Sequence, residues 1–197
     1  MVLESRRRFF RVVLSGAAVW TVARASLRAQ RGLDQFLLPA PPCRDDLTPR
    51  VPAGSEYRPN APVKSTLVET GMAGDRMTLS GYVTGLACGR IRNARVEFWQ
   101  ADATGKYDTG GFQLRGAALT DQEGKYSIET IVPGAERAEV RRIHVRVAPA
   151  GKKDLTTVLF FPDDPAAVRD RAYKPSLTMK RVSGASSAYR FDFLLDV

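Results

Sequence analysis

Histidine is nearly absent from this chain: one residue, His144, in 197. Cysteine is scarce too, with Cys43 and Cys88 only, so no dense disulfide framework is available. No apolar run is long or uninterrupted enough for a membrane span. No long amphipathic pattern marks a helix, and neither an internal repeat nor a low-complexity tract occurs beyond a proline-rich leader. Basic residues outnumber acidic ones, 30 to 21, giving +9 and an isoelectric point near 9.9. The excess sits at one end. Residues 1–29 carry Arg6, Arg7, Arg8, Arg11, Arg24 and Arg28 against Glu4, and removing them leaves +4. The rest alternates in sign as a solvated surface does, with no basic stripe interleaved with aromatics, which argues against a nucleic-acid partner.

What is present begins with that terminus. A basic start, an apolar run from Val12 to Ala23 and a small-residue site at Ala23-Arg24-Ala25 read as a secretory signal. The string SRRRFFR, Ser5 to Arg11, resembles the twin-arginine export signal, with cleavage after Ala25 or Ala29. The expected organisation is a signal over 1–29, a proline-rich leader over 30–62 and a β-sandwich over 63–197. Export predicts a periplasmic or secreted protein without a stable membrane span once the signal is removed. In an oxidising compartment Cys43 and Cys88 are expected to pair, closing a long loop worth roughly 3–4 kcal/mol in the chain-entropy picture.

Beyond Pro62 the pattern is all-β. MTLSGYVTG, ARVEFWQAD, GKYSIETI, RRIHVRVAP, LTTVLFFP and AYRFDFLLDV are short runs rich in β-branched and aromatic residues, separated by turn clusters such as TDQEGK and APAGKKD. In the last run Phe191 and Phe193 face one way, Arg190 and Asp192 the other. Evenly spaced, mostly antiparallel strands with no long amphipathic helix predict a β-sandwich or barrel. One or two helical turns are expected between Asp163 and Tyr173.

The strings VEFWQAD, GKYD, LRG, TDQEGKY, ETIVPG and LTTVLFFPDDP, with the leader pattern CRDDLTPR and YRPNAP, resemble the intradiol ring-cleavage dioxygenases over roughly residues 43 to 195. That resemblance implies a β-sandwich with an iron(III) site on strand ends and loops, held by two tyrosines, two histidines and a hydroxide. It implies a catechol-like aromatic as substrate. Phenolate oxygens favour the hard iron(III) ion, imidazoles complete the shell, and the metal polarises the bound ring.

Mapped onto the family pattern, the first tyrosine is Tyr107. The segment PGAERAEVRRIHVRV aligns without a gap to the stretch that supplies the other ligands. There Glu136 stands for the second tyrosine, Glu139 for the substrate-assisting arginine, Arg142 for the first histidine, and His144 remains as the second. Val158 replaces a supporting glutamine. The family's catalytic set therefore cannot be carried over whole. On strand geometry Arg142 and His144 share a face, so a guanidinium, which cannot ligate iron, points where an imidazole is expected. Arg142 is expected to pair with Glu136, with Tyr107 as a further acceptor. The alternative is a metal shell of Tyr107, Glu136 and His144 with open positions. Two classes stay open: an exported iron dioxygenase with an altered shell, and a catalytically silent sandwich that binds an aromatic or a partner. Oligomeric state is not set by the sequence.

Overall fold

The computed structural model describes residues 46–197 except 136–139 and 186, and the backbone alone of Ala87. The signal, Cys43, Glu136 and Glu139 therefore lie outside the described residues. The strands are β1 (Arg76–Gly85), β2 (Arg95–Trp99), β3 (Arg115–Leu119), β4 (Lys125–Ile131), β5 (Arg142–Ala148), β6 (Leu155–Phe160), β7 (Lys180–Arg181), β8 (Ala188–Arg190) and β9 (Phe193–Leu195). One sheet runs β4-β1-β8-β7, with β9 also pairing β1, and the other runs β3-β2-β5-β6. Most pairs are antiparallel, and β8 and β9 lie parallel to β1. The predicted β-sandwich is the fold. The region from Asp163 to Tyr173 makes one short 3-10 turn, Ala167–Arg169.

Period-two alternation builds the core. Ile143, Val145 and Val147 of β5 oppose Leu159, Thr157 and Leu155 of β6, while Phe98 and Val96 of β2 oppose Val145 and Val147. Met77, Leu79 and Val83 of β1 and Tyr126, Ile128 and Ile131 of β4 belong to the same buried cluster. Stacking the inner faces of two such sheets removes these side chains from water, which is the main stabilising term.

Residues 62–67 are part of this body. Lys64 N–H donates to Ala117 O and Ala117 N–H to Pro62 O; Glu129 N–H donates to Ser65 O and Leu67 N–H to Glu129 O. These bonds lie along β3 and β4, so residues 62–67 cover an edge of each sheet, where unpaired backbone would otherwise be open. Among the described residues no helix is long and apolar enough to cross a membrane.

Candidate functional site

The site lies on the face of the second sheet that turns away from the core. Strand register fixes its rows. Arg115, Trp99, His144 and Val158 stand opposite one another across β3, β2, β5 and β6, and beside them lie Glu97 opposite Arg146 and Arg142 opposite Phe160. Directly opposed residues project to the same side, so all of these share a face. In a sandwich such a face is ordinarily solvated; here it is covered, with Trp99 2% and His144 8% exposed.

Aromatic rings do the covering. Trp99 stacks on His144 with centroids 5.2 Å apart and planes at 13°. Tyr107, from the loop after β2, meets the His144 ring edge-on at 6.0 Å. Tyr57, from the leader, packs on the far side of the cluster, 5.0 Å from Trp99. Arg115 sits 5.9 Å from the Tyr107 ring and donates to the carbonyls of Glu56 and Asp108, so one buried guanidinium ties leader, loop and β3 together. Leu114, just before β3, takes the left-handed backbone at φ 51°, a strained conformation for a leucine.

Three buried polar atoms here have no hydrogen-bond partner among the described residues: Trp99 Nε1 and both His144 ring nitrogens. Burial holds the His144 pKa far below its ordinary 6.5, at about 3, with Arg142 and Arg115 pushing the same way and Asp170 opposing. The imidazole is therefore neutral at any ordinary pH. Arg142 forms an ion pair with Asp170, whose side chain is 7% exposed. Asp170 lies just beyond the 3-10 turn, in the loop after β6.

Tyr107, Arg142, His144 and Val158 are thus brought to one place, as the sequence implies. Asp170 is a partner of Arg142 that the sequence reading does not name, while the expected pairing with Glu136, like Glu139, lies outside the described residues. Cys88 is disulfide-bonded, while its expected partner Cys43 is also outside them. Sequence reasoning missed Trp99, Tyr57, Arg115 and Asp170. For Trp99 a signal existed, since it alternates with Glu97 on β2 and so faces away from Phe98 and the core. Asp170 had none, because a loop carboxylate 28 residues from its arginine leaves no local pattern. Among the described residues, no three of His, Cys, Asp or Glu converge in a way that could hold a metal.

Comparison with known proteins agrees with the fold and its motifs. The family model described as dioxygenase matches residues 53–197. The protocatechuate 3,4-dioxygenase beta chain of Burkholderia cepacia is 29% identical over 152 residues, covering 62% of this chain and 65% of that one. Catechol 1,2-dioxygenase 2 of Acinetobacter lwoffii is 30% identical over 152 residues, 64% of this chain and 55% of that one. The chain thus spans 55–65% of the length of these two relatives. Among solved structures, the dioxygenase domain of a dioxygenase–carbohydrate-binding protein fusion from Streptomyces sp. SirexAA-E is 38% identical, with TM-score 0.73, covering 77% of this chain and 99% of that one. The 3-chlorocatechol 1,2-dioxygenase of Rhodococcus opacus 1CP shares the fold at 23% identity and TM-score 0.69, covering 76% of this chain and 72% of that one. With the match running through β1 to β9 and through both sides of the site, this chain belongs to the intradiol ring-cleavage dioxygenase family.

Proposed function

We propose that this chain is an exported intradiol-family protein whose iron site has been replaced, leaving a β-sandwich that serves as a binding or structural module. The observation that carries this reading is Arg142. It stands two residues from His144 on the same strand face, where the family pattern has a histidine, and it pairs with the buried carboxylate of Asp170. A guanidinium stays protonated and offers no lone pair to a metal. A permanent positive charge that already depresses the His144 pKa also opposes a tripositive ion at the same imidazole. The residues therefore do not fit the family's four-ligand iron(III) shell. Asp170 in turn balances Arg142 without any metal.

The competing reading is an iron dioxygenase with an altered shell acting on a catechol-type aromatic, with Tyr107, His144 and Glu136 as donors. One observation favours it: a buried imidazole whose two nitrogens have no partner among the described residues resembles a ligand waiting for an ion.

Metal analysis separates the two. Protein purified from iron-replete cells is expected to hold no stoichiometric iron and to lack the reddish absorption of tyrosinate bound to iron(III). The double substitution Glu136→Tyr with Arg142→His is expected to gain iron, because it restores the family's residue types at two positions within the stretch that matches the family model. One equivalent of iron in the natural protein, lost on changing Tyr107 or His144, overturns the proposal in favour of the enzyme.

A further inference from the structure

Residues 48–64 cross the outer face of the second sheet, and the way this segment is fastened changes along its length. At both ends it is held by backbone. Thr48 N–H donates to Leu194 O at 2.9 Å and Val51 N–H to Thr156 O at 2.8 Å; further on, Lys64 N–H donates to Ala117 O at 3.0 Å. Between Pro52 and Asn60 the fastening is by side chains. Tyr57 Oη donates to Glu97 Oε2 at 2.9 Å, Arg58 donates to the carbonyls of Thr109 and Gly110, and Glu56 O accepts from Arg115. Most of these leader residues are exposed or half-buried, and Gly54 and Asn60 both have positive φ. A segment with few buried apolar contacts and little backbone bonding lies at the low-stability end of a structure.

Glu97 is the fixed point of that fastening. It is 3% exposed and receives Tyr57 Oη, Arg95 Nε at 2.7 Å and Arg146 Nη1 at 3.0 Å. Arg146 also pairs with Asp154, and Arg95 donates to Ala61 O at the far end of the segment. Tyr57, held by this carboxylate, lays its ring against Trp99, and Trp99 stacks on His144. We propose that residues 52–60 form a strap, latched by Glu97 through Tyr57, whose opening uncovers Trp99 and the imidazole behind it while the sandwich stays folded. The latch lies outside the residues that would hold a metal, and the inference stands for a metal-free site and for an iron site alike.

The test uses the full chain carrying Trp20→Phe, so that Trp99 is the remaining tryptophan. Glu97→Gln removes the charge that gathers the two arginines, and Tyr57→Phe removes one bond while keeping the ring. Peptide-level hydrogen exchange over 52–60 and acrylamide quenching of Trp99 are each expected to rise several-fold in Glu97→Gln and less in Tyr57→Phe. Exchange in β1 and β4 is expected to rise far less, by no more than the loss of global stability in Glu97→Gln. Should Glu97→Gln fail to fold, Tyr57→Phe decides alone. Exchange over 52–60 that is unchanged in a folded variant, or that rises by the same factor as in β1 and β4, overturns the strap.

Discussion

At His144 the balance of charges decides more than the identity of any one ligand. A neutral imidazole sits beside Arg142, and Arg142 is tolerated because Asp170 compensates it. Removing one partner of such a pair strands the other, whereas replacing both with apolar groups is often neutral. Arg142→Met is therefore expected to cost about 1–3 kcal/mol, discounted from the fully buried case because the Arg142 side chain is 23% exposed. Arg142→Met combined with Asp170→Leu is expected to recover most of that loss in urea denaturation. A double variant no more stable than the sum of the singles would show that the pair is not coupled. Glu97 supplies a pH signature. Burial alone would raise its pKa, but hydrogen bonds from Arg95, Arg146 and Tyr57 win and hold it below the ordinary 4.5. Between the folded and unfolded values the unfolded chain binds the extra proton, so this stability is complete above about 4.5 and disappears as pH falls through the folded value. Glu97→Gln is expected to lower stability near pH 7 and to flatten the dependence within that window. Denaturation midpoints measured from pH 7 down to pH 3 check this.

Elements are set by alternation where side chains are distinctive and by long-range contact where they are not. Six apolar runs were legible as strand regions because β-branched and aromatic residues favour a pleated, half-buried surface. The strand β3, RGAAL, was not legible, since glycine and alanine carry little strand preference; Leu67 packs where a Cβ on Gly116 would stand, 2.5 Å away. The last run read as one strand and is two. The register to β1 is unbroken, Ser80 opposite Arg190 and Val83 opposite Phe193. The interruption comes from Asp192, whose carboxylate takes the Tyr82 N–H in place of a backbone carbonyl. Even so, Phe191 and Phe193 are buried together, as the alternation implied. The site was partly legible for the same reason. Tyr107, Arg142 and His144 follow from motif and strand period, while the Asp170 and Tyr57 contacts arise only when loops fold back. Gly81 tests this view of the junction. A Cβ there would fall 1.7 Å from Phe191 O, the carbonyl that also accepts Tyr126 Oη at 2.8 Å. Gly81→Ala must displace that backbone, and is expected to cost on the order of 3 kcal/mol or more by overpacking. Thermal unfolding within 1 kcal/mol of the parent would mean the junction is far more compliant than this packing implies.

For the whole molecule, the proposed export route and the fold make demands on each other. The twin-arginine pathway is addressed to folded proteins, and the sandwich here depends on contacts far apart in sequence. The leader bonds near Thr48 reach Leu194, and β1 is paired by β8 and β9 from the other end of the chain. Such a topology closes its ladders only when the last residues are available, so folding before transport suits it. A chain exported unfolded would instead expose long unpaired edges until its C-terminus arrived. The address we propose is the Ser5 to Arg11 string, and replacing Arg6 and Arg7 with lysine keeps every charge while removing the paired guanidinium groups. That variant is expected to accumulate in the cytoplasm as a folded protein with its N-terminal segment uncut, read by cell fractionation and intact mass. Processed protein in the periplasm at the parent level would place this chain on a different export route.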